Sequence, residues 1–165
     1  MLINKQIAHK EPYTGFFFLT FNDKLATLTP ANMIHTICYS SKAVDGLEKE
    51  ALEGIYNKTY TNNSLRNVTG ILLFELGNFF QVLEGDKDII MPLYENKIKN
   101  DPRHHSIFEI INRPKQKALF SNYSTDFNIV RTAEQLETIN AYLKDNKVST
   151  SEKIQRLIQP FLLLP

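Results

Sequence analysis

The Gly77-Asn78 step constrains this chain more than any other pair of residues. It separates two apolar runs of strand length, Val68 to Phe74 and Phe79 to Leu83, and it offers the tight turn that a hairpin needs. The two runs are therefore expected to pair as antiparallel neighbours. Upstream, Leu47, Ala51, Leu52, Ile55, Tyr56 and Thr59 recur at three- and four-residue intervals and read as a helix. Asp45 followed by Glu48 resembles a capping box at its start, and the polar run Thr61-Asn62-Asn63-Ser64 is expected to end it. Before that helix, Ile34 to Tyr39 reads as a strand closing at Ser40-Ser41. Downstream, Gly85-Asp86 opens a second helix with Ile89, Ile90, Leu93, Tyr94 and Ile98, stopped by Asp101-Pro102 and expected to kink at Pro92. Ile107 to Ile111 reads as a fourth strand, Asn112 to Lys117 as a polar connection, and Phe127 to Val130 as a fifth strand.

The order strand, helix, strand, strand, helix, strand implies an α+β fold with a ferredoxin-like βαββαβ core and an extra strand. Right-handed crossovers place both helices on one face of an antiparallel sheet, with the first and third strands as central neighbours. Two C-terminal helices follow. One starts at Thr132, with Gln135 three residues on, and carries Leu136, Ile139 and Leu143. The other starts near Ser149, with Glu152 three residues on, and carries Ile154, Leu157, Ile158 and Phe161. Each opening pair resembles a capping box. Residues 1–32 read as an N-terminal extension, 33–130 as the core domain and 131–165 as a helical cap.

A chain of 165 residues suits one domain. Its 19 basic and 18 acidic side chains give no electrostatic case for nucleic acid or an anionic membrane. The single cysteine, Cys38, excludes an internal disulfide and a cysteine-based zinc site, and it fits a cytoplasmic setting. Gly15-Phe16-Phe17-Phe18-Leu19-Thr20-Phe21 is too short to span a bilayer and reads as a strand or docking segment. His35, His104 and His105 fall in no metal-ligand spacing, and no Gly-rich phosphate loop follows a strand. Phe161 to Leu164 points to an intermolecular contact, in a homo-oligomer or with a partner protein.

Three polar side chains stand out by position. Tyr39 closes the first strand, Gln81 lies mid-way along the apolar run Phe79 to Leu83, and Asn63 sits where the first helix ends. Two have a plain alternative when taken alone: Tyr39 as a half-buried strand tyrosine, and Asn63 as a helix cap. A mid-strand glutamine among aromatics is harder to place, because a buried amide without partners costs about 1–3 kcal/mol. With Tyr39 beside it, Gln81 would floor a slot between the two helices, lined by Ile55, Phe79 and Leu83 and suited to a flat aromatic ligand.

Four stretches of the sequence, in order and spacing, resemble the BLUF domains, blue-light sensors that use flavin adenine dinucleotide. They are Ile37-Cys38-Tyr39-Ser40-Ser41; Asn62-Asn63 with Val68-Thr69-Gly70-Ile71-Leu72; Phe79-Phe80-Gln81-Val82-Leu83-Glu84-Gly85; and Asp101-Pro102-Arg103-His104. The resemblance covers about residues 33–130 and makes that segment the flavin-binding domain. It implies a non-covalently bound FAD held by Tyr39, Ile55, Asn62, Asn63, Phe79, Gln81, Arg103 and His104. Tyr39 and Gln81 would be the photoactive pair, and Arg103 and His104 would lie near the phosphates. It also implies that no substrate is turned over and that the signal passes to a partner protein or an oligomer interface.

The family pattern carries Trp, one residue, then Met on the last strand. Here Tyr123 and Thr125 stand at those positions, as the expected signal relay. The stretch after the core is expected to be too short for a cyclase or phosphodiesterase output domain. Two competing readings remain at this level. One is a flavin-free interaction module that kept the fold. The other is a small acyl-phosphate hydrolase with Arg103 or Arg66 beside Asn63 as its anion site.

Overall fold

The computed structural model describes residues 33–146 and 148–162; residues 1–32, with the segment Gly15 to Phe21, and Leu163 and Leu164 lie outside the described residues. The strands are β1 (Ile34–Ala43), β2 (Thr69–Glu75), β3 (Asn78–Gly85), β4 (His104–Lys115) and β5 (Asn128–Val130). The helices are α1 (Lys49–Ser64), α2 (Lys87–Leu93), α3 (Ala133–Asp145) and α4 (Ser149–Leu162). One sheet forms in the order β4-β1-β3-β2-β5. Its first four strands are antiparallel, and β5 joins β2 in parallel. This is the expected α+β, ferredoxin-like arrangement with β1 and β3 adjacent near the centre.

Strand alternation gives the sheet two buried faces. Ile37, Tyr39, Phe79, Leu83 and Leu72 belong to the core shared with Tyr56 of α1, Ile90 of α2 and Tyr94 just beyond it. Cys38, Ile71, Phe80, Val82 and Ile111 belong to a second core with Leu136, Ile139, Leu143, Ile154 and Ile158 of the C-terminal helices. Phe161 and Leu162 pack inward on that second core, with the Phe161 ring 6.3 Å from Phe80. Phe161 and Leu162 thus join the helical cap over the sheet.

Several boundaries differ from the sequence reading for identifiable reasons. The hairpin turns on Leu76 and Gly77, both at positive φ (46° and 74°), so that Glu75 pairs with Asn78. Asn78 opens β3 and its amide donates to the Leu76 carbonyl at 2.9 Å. Asp45 makes no capping box with Glu48: Gly46 takes φ 72°, the chain turns there, and α1 starts later with Glu48 as an N-cap that makes no side-chain hydrogen bond. The polar run Thr61-Asn62-Asn63-Ser64 does end the helix: α1 stops at Ser64, and Asn67 takes the left-handed turn (φ 55°).

β1 continues past Ser40 to Ala43, and β4 runs from His104 to Lys115, absorbing most of the expected polar connection. Proline lacks the N–H for an α-helical bond, and two residues after Pro92 helix α2 passes into a π-helical turn, Tyr94–Ile98. The Thr132/Gln135 capping box forms as expected. At α4, Ser151 rather than Glu152 reaches back to accept the Val148 N–H, at 3.2 Å.

Candidate functional site

The antiparallel register of β1 and β3 sets Tyr39 directly opposite Gln81. Pleating turns both side chains to the α1/α2 face, where Gln81 is 3% and Tyr39 4% exposed. The Tyr39 hydroxyl donates to Gln81 Oε1 at 2.5 Å. A register shift between β1 and β4 falls at Cys38/Tyr39, the kind of irregularity that re-aims a side chain beside a site. Burial pushes the Tyr39 phenol well above its ordinary 10.0, helped by the nearby Tyr94 and Asp101. The phenol therefore stays protonated at any physiological pH. It always has a proton to donate, and Gln81 is the acceptor in place.

Above this pair lies a cavity of about 360 Å³. On α1, Ile55, Lys58, Thr59, Asn62 and Asn63 line it. These positions are i, i+3, i+4, i+7 and i+8, one face of a helix. The opposite wall comes from Leu93, Lys97 and Ile98 in and beside the π turn, and the mouth from Asp101 to His104. Leu72 and Phe79 complete the floor. All eight positions expected to hold a cofactor thus face one space: Tyr39, Ile55, Asn62, Asn63, Phe79, Gln81, Arg103 and His104.

Asn63 is 2% exposed and, among the described residues, its side-chain amide has no protein partner. It does not cap α1; backbone groups close that helix, with the Arg66 and Val68 N–H donating to the Asn63 carbonyl. The Gln81 amide nitrogen likewise has no protein partner among the described residues. Two buried amides with unspent hydrogen-bonding capacity around an apolar slot fit a planar ligand with polar edges.

Arg103 and His104 reach the cavity with most of their polar side-chain atoms committed elsewhere. Arg103 forks onto Asp101, Nε to Oδ1 at 2.9 Å and Nη2 to Oδ2 at 2.5 Å. The fork holds the Asp101 carboxyl below its ordinary 3.8. His104 Nδ1 lies 2.8 Å from Ser41 Oγ, and its Nε2 lies 2.8 Å from the Ile98 carbonyl. His104 thus pins the end of β1 to the π turn. Lys58 and Lys97 face each other's side of the cavity without an ion-pair partner among the described residues. Sequence reasoning passed over both, although Lys58 follows Ile55 by three positions on the same helix face.

Tyr123 and Thr125 do not line the cavity, nor do they lie on a strand. They follow a 3₁₀ turn, Phe120–Asn122, ahead of β5. The Tyr123 ring packs 5.0 Å from Tyr142 of α3 and edge-on to Phe120, on the side of the C-terminal helices. Thr125 is exposed. Burial raises the Cys38 thiol to about 12, and that side chain also faces the C-terminal helices.

Residues 34–126, more than half of the chain, match the family model BLUF, "Sensors of blue-light using FAD". The chain belongs to the BLUF family. Photoactivated adenylate cyclase subunit beta of Euglena gracilis is 30% identical over 101 residues, which is 61% of this chain and 11% of that protein. Blue light- and temperature-regulated antirepressor BluF of Escherichia coli K12 is 35% identical over 79 residues, 48% of this chain and 19% of that protein. The chain thus spans a small part of the curated relatives it matches. Among solved structures, BlrP1 BLUF superposes with a TM-score of 0.62 at 26% identity, covering 79% of this chain and 90% of that one. Klebsiella pneumoniae BlrP1 with FMN and cyclic diGMP gives 0.61 at 26% identity, over 79% of this chain and 34% of that one. A BLUF domain is a sensor module, and here its cavity sits over the Tyr39–Gln81 pair.

Proposed function

We propose that this chain is a blue-light photoreceptor whose switch is the Tyr39–Gln81 hydrogen bond, and that it passes its signal to a partner protein or a second copy rather than performing catalysis itself. The observation that carries the reading is the buried 2.5 Å contact between a phenol and an amide at the floor of an apolar cavity. A flavin bound there would supply blue absorption and, on excitation, one-electron oxidising power. Tyr39 is the oxidisable side chain in reach. Among the described residues its proton has one protein acceptor, Gln81 Oε1, and a phenol that loses an electron becomes a strong acid. Gln81 can then rotate or tautomerise and present donor where it had presented acceptor. The two arrangements of that amide are the two states, and light shifts the balance between them.

Asn62 and Asn63 on α1 are the groups we assign to the polar edge of the ring, and Ile55 and Phe79 to its faces. For the cofactor's tail we assign Lys58 and Lys97, since Arg103 is neutralised by Asp101 and His104 is occupied. Two lysines on facing walls of the cavity favour FAD or FMN over riboflavin, which lacks phosphate. The hydrolase reading loses its support in the same geometry: Arg66 does not line the cavity, and Arg103 is already paired.

Purified protein is expected to carry about one flavin per chain, with a blue absorption band that shifts to the red on illumination and returns in darkness. Colourless protein that takes up no added FAD or FMN would overturn this reading. In the variant Lys58→Ala/Lys97→Ala, FAD and FMN are expected to bind at least about tenfold more weakly while riboflavin binds as before. Equal losses for all three flavins would contradict the phosphate assignment.

A further inference from the structure

Three residues beyond Gln81, β3 carries Glu84, which is 1% exposed and points to the opposite face of the sheet. A carboxylate in such a place is costly unless every oxygen is partnered. Glu84 Oε2 accepts the Phe120 N–H at 2.8 Å, with the Leu119 N–H also directed at it. Its Oε1 accepts from the Thr36 hydroxyl at 3.2 Å. Thr36 is the register partner of Glu84 on β1, the strand that carries Tyr39. Burial raises the carboxyl above its ordinary 4.5, while these hydrogen bonds and the charge of Lys115 oppose the rise. Lys115, at the end of β4, in turn donates to Thr150 of α4.

The turn that Glu84 grips is also the seat of α3. The Tyr142 hydroxyl donates to the Leu119 carbonyl at 2.5 Å. The Phe120 ring lies 6.5 Å from Tyr142 and 6.4 Å from Tyr123. Elsewhere this face of β3 meets the C-terminal helices through Phe80 and Val82, apolar contacts that tolerate small slides. The hydrogen bonds of a buried carboxylate are directional and charge-assisted, so a small displacement of β3 weakens them sharply.

We propose that Glu84 is the positioning residue that couples the Tyr39–Gln81 pair to the C-terminal helices, acting through the Leu119–Phe120 turn and Tyr142. The proposal rests on the photoreceptor reading above. A change in the hydrogen bond between β1 and β3 alters the Thr36–Glu84 contact on the far side of the same two strands. Glu84 transmits that change to the turn, and the turn moves the anchor of α3.

The test compares the intact chain with Glu84→Gln and Tyr142→Phe, each measured in darkness and under blue light. One readout is the flavin band, and the other is amide hydrogen exchange across residues 133–145. The unaltered chain is expected to show both the red shift and a light-dependent change in exchange. Each variant is expected to keep the red shift and lose the light-dependent change in 133–145. Tyr142→Phe removes only a hydroxyl, so it decides the question if Glu84→Gln fails to fold. A wild-type light-dependent change in both folded variants, or in Tyr142→Phe alone, overturns the coupling. So does an unaltered chain that shifts its band without any change in α3. An unaltered chain with bound flavin and no shift overturns the photoreceptor reading itself.

Discussion

Gln81 and Asn63 are polar groups in places where the sheet and helix would otherwise be apolar, and each keeps hydrogen-bonding capacity turned to the cavity. Replacing Asn63 with Ala should weaken flavin binding while changing stability little, because no protein partner is left behind; parallel flavin titration and urea denaturation check this. Gly70 shows the opposite constraint. Its φ is 135°, and a Cβ there would lie 2.0 Å from the Val82 carbonyl oxygen. Gly70→Ala is expected to lose at least about 3 kcal/mol in urea denaturation, from backbone strain and a clash that β3 cannot relieve. A loss under about 1 kcal/mol would mean the hairpin shifts to make room.

Asp101 gives the residue-scale dependence on pH. Its folded-state pKa is depressed below 3.8 by Arg103, so its contribution is complete above that value and fades as pH falls through the lowered one. Asp101→Asn should therefore be less stable than the parent at neutral pH, by no more than about 1 kcal/mol for a partly exposed pair. The gap should close in acid below pH 3.8. Denaturation over a pH series measures it, and a gap that widens in acid would contradict the pairing.

At the scale of elements, the capping box that opens α3 is the clearest local determinant, with Gln135 N–H donating to Thr132 Oγ1 at 3.3 Å. Thr132→Ala should cost about 1 kcal/mol in denaturation without altering flavin affinity. That cap, the βαββαβ order and the adjacency of β1 and β3 were legible from periodicity and turn chemistry alone. So were the eight cavity positions, through spacing and the family resemblance. Other features depended on contacts that sequence cannot display. The Asp101 fork that occupies Arg103, the two bonds that occupy His104, and the π turn that brings Lys97 and Ile98 inward all arise between separate elements. Tyr123 was expected on a strand, but the Phe120–Asn122 turn carries it to α3 instead. Glu84 was passed over because an acidic residue at a strand end reads as solvated until Thr36 and Phe120 are seen closing on it.

At the scale of the whole molecule, the described residues form one sheet with two different faces: a cavity over Tyr39 and Gln81 on one, and the α3/α4 cap on the other. Among the described residues no helix is long and apolar enough to cross a membrane. On the function and coupling proposed above, light is read on the cavity face and reported on the cap face, and among the described residues the sheet centre lies between them. The most direct test is the light-minus-dark absorption spectrum of Gln81→Leu with flavin bound, recorded beside the parent. The parent should show a reversible red shift of the blue band and the variant none, with flavin retained in both. A normal, reversible shift in Gln81→Leu would contradict the account at its root.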